Sequence, residues 1–241
     1  MNSLYERLYT EIENSELKKY PLLNCCMKDG ILFPEKYEKS SLKMVFILKE
    51  PYADWDEKTN TPKNCDIDFF DLVRNLKSFY EDGFNKTWLK VAAISYSIKN
   101  ETSYTESLTY EQVEEGLSCV AWINLSKTPW RTTTIRNKAF QKRVSIWEPV
   151  VKEQLLQLDP DIIFYGNTWD SSALNPIEPN LEWKTSFCSN KRIYKRKSSK
   201  IYIFKYRDTK KIILNGYHPV FGLSAKWQTE CLKKYISKFC E

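Results

Sequence analysis

The chain has 241 residues, of which 42% are hydrophobic and 28% are charged. This length and this balance predict one sizeable folded domain with its own core, and they exclude a disordered or fibrous chain. The net charge of +6 and the pI of about 8.8 are compatible with nucleic-acid binding but do not require it.

Seven cysteines and a single histidine are scattered along the chain, without the Cys-x-x-Cys spacing of metal sites. We therefore expect no structural zinc or iron–sulfur site, no other metal and no cofactor. The sequence has no signal peptide and no long apolar run. This predicts a cytoplasmic protein with reduced cysteines and no membrane partner. We also expect no obligate protein partner. A monomer is the expected state.

The first half of the chain alternates helical and strand patterns. Residues 2–20 have the apolar spacing of an amphipathic helix, within an N-terminal helical extension that we place at residues 1–42. Residues 43–48 form a short apolar run that predicts a buried strand. After a polar stretch, residues 68–80 again have helical spacing, whereas residues 89–98 fit a helix and a strand equally well.

The second half continues the alternation. Residues 109–119 predict a helix in which Thr109 and Gln112 form a capping box. Residues 138–158 and residues 224–239 have the spacing of longer amphipathic helices. Three further apolar runs have the length and composition of buried strands and lie at residues 120–125, 161–166 and 211–217.

Short apolar strands that alternate with helices predict a parallel sheet with helices on both faces. We therefore expect one domain over residues 1–241, a three-layer α/β/α sandwich around a central sheet of four parallel strands. Residues 192–197 and 201–206 predict a basic hairpin across Ser198–Ser199, which we place as an insertion at residues 191–207.

Polar side chains follow three of the four predicted strands. Glu50 and Tyr52 follow the first strand, and Asn124 lies at the end of the second. His218, the only histidine, follows the fourth strand. The carboxyl ends of parallel strands share one edge of a sheet, so these side chains are expected to meet in one cleft. Each residue alone is better explained as a loop or cap residue, and it is their coincidence that predicts a site.

Two stretches of the chain are rich in basic residues. One has six Lys and Arg residues between positions 191 and 200, and the other runs from Lys127 to Arg143. Either stretch could bind the phosphates of a nucleic acid, or could be a solvated charged face. The candidate phosphate contacts are Lys127, Arg131, Lys195, Arg196 and Lys197.

Aromatic residues make up 15% of the chain. Rings in excess of what a core needs are suited to stacking on flat ligands such as nucleic-acid bases. A core built from large rings explains most of them as well.

Several segments resemble motifs of the uracil-DNA glycosylase superfamily. Residues 48–53, Leu-Lys-Glu-Pro-Tyr-Ala, are similar to the family's first motif, Gly-Gln-Asp-Pro-Tyr-His, in the Pro-Tyr pair and an acidic third position. Residues 218–225, His-Pro-Val-Phe-Gly-Leu-Ser-Ala, resemble its last motif, His-Pro-Ser-Pro-Leu-Ser-Ala, with one residue more. Asn124 ends an apolar strand as the family's base-reading asparagine does, and residues 159–166 resemble the family's third strand and the turn before it. The likeness spans about residues 43–230.

The resemblance implies a DNA glycosylase with a uracil-DNA glycosylase-like fold and assigns roles to individual residues. Glu50 would activate water or balance positive charge on the sugar, and His218 would hydrogen-bond the departing base; these are the implied catalytic residues. Asn124 would read the flipped base and Tyr52 would form a wall of its pocket. Leu223 would be the wedge that fills the vacated stack. The remaining implied contacts are Ser224 to DNA and Trp55, Phe69 or Phe70 as the ring that stacks on the base.

Hydrolysis of an N-glycosidic bond leaves a cation-like sugar and an anionic base, which a carboxylate and a hydrogen-bond donor stabilise. No lysine stands out as a Schiff-base nucleophile, so we expect base excision without strand cleavage. The chain departs from the family's motifs at Lys49, Glu50, Ala53 and Val220. These departures extend the expected substrates from uracil to modified pyrimidines, such as modified cytosines of phage DNA excised as a defence activity.

Two other functions fit the same residues. One is a catalytically inactive domain that binds nucleic acid or a partner protein, because fold does not determine function. The other is an unrelated nucleotide or sugar hydrolase that uses the same edge of the sheet. The variants Glu50→Gln and His218→Ala separate the glycosylase from the inactive domain, since only the glycosylase loses base release in them.

Overall fold

A computed structural model describes residues 27–59, 61–63, 73–83, 86–130, 138–168, 181–188, 198–206, 209–216, 218–220 and 224–239. The strands in these ranges are β1 (Gly30–Ile31), β2 (Met44–Leu48), β3 (Trp55–Asp56), β4 (Thr61–Pro62), β5 (Val120–Asn124), β6 (Ile162–Gly166), β7 (Leu181–Cys188), β8 (Ser198–Tyr206) and β9 (Thr209–Gly216). The helices are α1 (Pro34–Glu38), α2 (Leu76–Glu81), α3 (Lys86–Lys99), α4 (Tyr110–Ser118), α5 (Lys138–Leu158) and α6 (Ser224–Phe239).

Seven strands form one mixed sheet in the order β1-β5-β2-β6-β9-β8-β7. The middle strands β5, β2, β6 and β9 run parallel to one another. At one edge β1 pairs antiparallel with β5, and at the other edge β8 and β7 continue the sheet in antiparallel pairing. The sheet is therefore larger than the four parallel strands expected from the sequence, and it is mixed. The strands β3 and β4 pair separately as a small two-stranded sheet.

The basic hairpin differs from its prediction. Ser198 and Ser199 do not form its turn, because both lie in β8, where they pair with Cys188 and Phe187 of β7. The other side of β8 pairs with β9, so this strand is an interior strand of the main sheet. The sequence predicted residues 201–206 as a strand but did not predict β7. Residues 192–197 lie outside the described part of the chain.

Two hydrophobic clusters lie on opposite faces of the sheet. Alternate residues of β2 divide between them: Phe46 joins the cluster that includes residues of α2, α3, α4 and α6, whereas Val45 and Ile47 join the cluster that includes residues of α5. Strands that are buried on both faces have continuous apolar runs, which explains why the central strands were predictable from sequence. Helices that cover both faces are compatible with a three-layer α/β/α fold.

The structure resolves the ambiguity at residues 89–98, which lie in α3. This helix is buried along most of its length, including Val91, Ala92 and Ile94. A helix buried on most sides lacks a clear polar face, and so its periodicity is weak. The neighbouring helix α4 begins with the predicted capping box of Thr109 and Gln112.

The remaining helix predictions agree with the structure where it can be compared. The bounds of α5 and α6 match the predicted residues 138–158 and 224–239. Of the predicted helix at 68–80, the structure describes residues 73–80, and residues 76–80 of these lie in α2. The predicted helix at residues 2–20 lies outside the described residues. Within the described ranges, no helix combines the length and the apolar composition of a membrane span.

Candidate functional site

The four parallel strands end at one edge of the sheet, at Leu48, Asn124, Gly166 and Gly216. In the main sheet, the next strand along the chain after β2 is β5, which lies on one side of β2. The next strand after β5 is β6, which lies on the other side of β2. The carboxyl ends of β2 and β6 therefore flank the point at which the strand order reverses, which is the switch point of the sheet. In open α/β sheets, ligands bind in the crevice at this point.

The loops that follow β2 and β5 are hydrogen-bonded to each other. The backbone N–H of Trp130 donates to the carbonyl oxygen of Pro51 at 2.9 Å, and the N–H of Ala53 donates to the carbonyl oxygen of Trp130 at 3.3 Å. Tyr52, between these residues, forms an isolated β-bridge with Trp130 and is 54% exposed. This ladder brings the residues that follow Glu50 beside an aromatic residue of the β5 loop.

The carboxylate of Glu50 is fully buried and paired with Arg143 of α5. Arg143 Nη2 donates to Glu50 Oε2 at 2.8 Å. A buried carboxylate is strongly unfavourable without a cationic or hydrogen-bonding partner. The guanidinium of Arg143 therefore stabilises the Glu50 carboxylate at the switch point of the sheet. The two residues are 93 positions apart in the sequence.

An aromatic ring packs on the guanidinium of Arg143. Its Cζ lies 3.9 Å from the centroid of the Trp130 ring, which is a cation–π contact. The Trp130 ring in turn meets Trp55 edge to face, with 5.2 Å between centroids and 65° between planes. Trp55 and Trp130 are both partly exposed, whereas Glu50 is not. The site thus places a buried ion pair beneath partly exposed rings.

His218 is held as a neutral hydrogen-bond donor. Its Nδ1 accepts the backbone N–H of Val220 at 3.3 Å, which leaves the proton of the neutral ring on Nε2. Burial, and to a lesser degree the positive charge of Lys49, lowers the pKa of His218 from 6.5 to about 4. The ring is therefore neutral at pH 7 and can donate through Nε2 to a group that gains negative charge.

The His218 loop passes closely over the end of β6. A Cβ atom added at Gly166 would lie 2.3 Å from Leu48 Cδ2 and 3.5 Å from both His218 Cα and Pro219 Cδ. Gly166 therefore allows the end of β2, the end of β6 and the His218 loop to meet. This contact places the histidine at the same edge as Glu50, which follows the end of β2 by two residues.

Asn124 is buried and its amide has a fixed orientation. Its Nδ2 donates to Asp29 Oδ2 at 3.3 Å, and its Oδ1 accepts from Trp122 Nε1 at 3.3 Å. A carboxylate only accepts and an indole N–H only donates, so the amide cannot be flipped without losing both contacts. Asn124 is 2% exposed, and Asp29 also accepts its backbone N–H at 2.7 Å.

Lys127 does not lie on the surface, so its predicted contact with a phosphate is wrong. It is 1% exposed, and its Nζ donates to Asp29 Oδ1 at 2.6 Å and to Gln154 Oε1 at 2.8 Å. Burial lowers the pKa of Lys127, and the Asp29 carboxylate opposes that shift. The sequence shows a cation in a basic stretch, but it does not show that this cation is enclosed by a carboxylate 98 residues away.

The structure brings together Glu50, Tyr52 and Trp55 on one side of the edge and His218 on the other. It reveals three site residues that had no predicted role of their own: Arg143, which was noted only as part of a basic stretch, Trp130 and Asp29. Ser224 is the first residue of α6, and its predicted DNA contact stays a prediction. The predicted site residues that lie outside the described ranges are Phe69, Phe70, Arg131, Lys195, Arg196, Lys197 and Leu223.

The part of the edge that the structure describes combines a buried carboxylate, a neutral imidazole donor and partly exposed rings. Such groups can stabilise opposite charges that develop on two sides of a breaking bond. A comparison of the chain with protein-family models found no match, and neither did a comparison with curated proteins.

Proposed function

We propose that this protein is a monofunctional DNA glycosylase of the uracil-DNA glycosylase type. It would flip a uracil-like or modified pyrimidine base out of DNA and hydrolyse its N-glycosidic bond. The observation that carries the proposal is the placement of the Glu50 carboxylate and the neutral His218 ring at one edge of the sheet, beside the switch point.

The chemistry of base release fits these two groups. When the glycosidic bond breaks, the sugar gains positive charge and the base takes the electron pair and gains negative charge. The Glu50 carboxylate would stabilise the sugar and orient the water that attacks it, while Nε2–H of His218 would donate to the departing base. A neutral imidazole donor keeps its proton and needs no change of charge during the reaction.

The rings and the amide fit the recognition of an everted base. Tyr52 and Trp55 follow Glu50 in the chain and both contact Trp130. The three residues are exposed or partly exposed and would form a stacking surface for the base. Asn124 would present its second amide hydrogen and its second carbonyl lone pair in a fixed order, since Asp29 and Trp122 hold the amide. A fixed donor–acceptor pair distinguishes bases by their edges.

Removal of a base from the stack costs a few kcal/mol, which contacts to the DNA backbone must offset. The net charge of +6 supports such contacts. The departures from the family's motifs at Lys49, Ala53 and Val220 favour a pyrimidine other than uracil, and modified cytosines of phage DNA are the substrates that we propose to examine first. A cytoplasmic monomer that excises them would serve as a defence activity.

The proposal is tested by mass spectrometry of bases released from duplexes that contain uracil, hypoxanthine or modified cytosines, and from phage DNA. We expect release of one base class by the unaltered protein. Glu50→Gln and His218→Ala are each expected to reduce that release by about 10²–10³-fold while DNA affinity persists. If no base is released from any of these DNAs, the proposal is wrong.

A catalytically inactive DNA-binding protein is the second candidate, and the Glu50–Arg143 ion pair is the observation that favours it. A carboxylate that is already neutralised by a guanidinium has less charge to offer a cationic sugar. This candidate predicts salt-sensitive DNA binding in the unaltered protein together with no base release, whereas the glycosylase predicts both.

A further inference from the structure

The guanidinium of Arg143 is only partly satisfied by its contact with Glu50. Nη2 donates to Glu50 Oε2, whereas no acceptor for the buried Nε is found among the residues that the structure describes. Arg143 is 9% exposed, so this N–H is removed from most water. A buried donor without a partner is unfavourable, and an incoming acceptor of suitable shape would relieve it.

The same contact places a positive charge beside the carboxylate that the proposed reaction uses to stabilise the sugar. Glu50 and the face of Trp130 together form a site for a cation, because a carboxylate and an aromatic face both attract one. Arg143 occupies this site, with its Cζ 3.9 Å from the centroid of the Trp130 ring. While the guanidinium remains there, the charge of Glu50 is largely cancelled for any other cation.

A phosphate group suits the guanidinium better than the present contact does. Phosphate accepts two parallel N–H bonds from one guanidinium, and such a pair of bonds would include Nε. The ring of Trp130 would guide this movement, because the guanidinium can shift along the ring face and keep its stacking contact. Lys138 and Lys142, both exposed near the start of the same helix, add positive charge that attracts a polyanion.

We propose that Arg143 neutralises Glu50 only in the DNA-free protein, and that a backbone phosphate of bound DNA takes over the guanidinium. Glu50 then becomes available to the sugar only when DNA is in place. This inference rests on the proposed function, since it takes DNA as the ligand and Glu50 as the catalytic carboxylate. It assigns Arg143 as a phosphate-binding residue and as the residue that couples DNA binding to the state of Glu50.

The test is a double-mutant cycle on DNA affinity, with Glu50→Gln, Arg143→Met and the double variant. Dissociation constants for a short duplex are measured from about 50 to 200 mM salt. Glu50→Gln removes the competitor for the guanidinium, and we expect about tenfold tighter DNA binding. Arg143→Met is expected to bind more weakly, with a salt slope smaller by about 0.9 because one phosphate contact is lost.

The matched control is Asp159→Asn, which raises the net charge by the same amount as Glu50→Gln. Asp159 pairs with Lys211 at 2.9 Å, before β6 at the opposite edge of the sheet. We expect this variant to leave DNA affinity close to that of the unaltered protein. The inference is supported if Glu50→Gln tightens binding more than the control does and the gain disappears in the double variant.

The affinity measurements overturn the inference in either of two cases: Glu50→Gln binds no more tightly than Asp159→Asn, or the gain persists without Arg143. The comparison of Glu50→Gln with Asp159→Asn remains informative even if Arg143→Met does not fold. Inorganic phosphate, compared with chloride at equal ionic strength, is expected not to compete with DNA. Phosphate-specific competition that requires Arg143 would assign the residue to free phosphate and overturn its assignment to DNA.

The same experiments separate this inference from the proposed function. If the unaltered protein releases bases but Glu50→Gln shows no gain in affinity, the glycosylase proposal stands and the role of Arg143 is wrong. If the affinity pattern appears but no base is released from any DNA, the phosphate contact stands and the catalytic function fails.

Discussion

Two buried ion pairs lie near the carboxyl edge of the sheet, and they differ in how completely they are satisfied. In the Asp29–Lys127 pair, Asp29 Oδ1 accepts from Lys127 and from Gln154 Nε2, while Oδ2 accepts from Asn124. In the Glu50–Arg143 pair, the buried Arg143 Nε has no acceptor within the described ranges, and the guanidinium packs on a partly exposed ring.

The comparison separates a structural pair from a pair that can change partner. Asp29 and Lys127 join the segment before β1 to the loop after β5, and the backbone N–H of Met27 also donates to the carbonyl oxygen of Lys127 at 2.9 Å. Each charge there has its partner inside the fold, so moving either residue would leave the other as a buried charge without a partner. Arg143 lies closer to solvent and retains a donor that a ligand could use.

The largest expected effect is on stability. Lys127→Met leaves the Asp29 carboxylate buried without its cation, and we expect a loss of about 3–5 kcal/mol in the free energy of unfolding. Arg143→Met is expected to lose less, because the Arg143 side chain is 11% exposed, against 1% for Lys127. Urea unfolding of both variants measures the difference. Equal losses would remove the distinction between the two pairs.

A second prediction concerns His218, which lies at the same edge and is held in its neutral form, unlike the members of the two ion pairs. Its pKa is about 4 in the folded protein and 6.5 in the unfolded chain, so the unfolded chain binds more protons between these values. Stability should therefore rise as the pH rises from 4 to 6.5 and remain level above that. Relative to His218→Gln, the unaltered protein should lose about 2–3 kcal/mol of stability between pH 6.5 and pH 4.

Parallel pH series of urea unfolding measure this difference between the two proteins. Other ionisable groups contribute nearly equally to both series and cancel in the comparison. A constant difference across this pH range would show that the imidazole is not held in its neutral form.

A third prediction tests the contact that places His218 near Glu50. Gly166→Ala adds a Cβ atom 2.3 Å from Leu48 Cδ2, and we expect a loss of about 1–3 kcal/mol from overpacking. Base release should fall as well if the His218 loop is displaced. Adding Leu48→Val to Gly166→Ala removes a methylene group and provides space for the new Cβ atom. The double variant should therefore recover much of the stability, as measured by thermal unfolding.

The smallest expected effect concerns the Trp130 ring that packs on Arg143. Trp130→Leu removes the cation–π contact and should destabilise the protein by about 1 kcal/mol, whereas Trp130→Phe keeps a ring and should lose less. The control is Trp147→Phe. It removes a different indole, which donates to Thr128 Oγ1 at 3.0 Å, next to Lys127 in the chain. Identical losses for Trp130→Leu and Trp130→Phe would show that the ring does not support the guanidinium.

The amino-acid sequence by itself determined the elements whose signals are local. The apolar runs of β2, β5 and β6, the capping box of α4 and the bounds of α5 follow from side-chain periodicity and short-range hydrogen bonds. It also indicated that Glu50 and His218 follow strands of one sheet. These features depend on neighbours within a few residues, which a single sequence displays directly.

Only the tertiary structure decided which charges are enclosed and which partners they have. Lys127 and Arg143 look alike in the sequence, as cations of one basic stretch, yet one is bonded to Asp29 and the other to Glu50. The pairing of β7 with β8 was likewise not readable from local patterns. Contacts between residues about a hundred positions apart depend on how the layers pack, and the free energy of a buried charge is set by that packing.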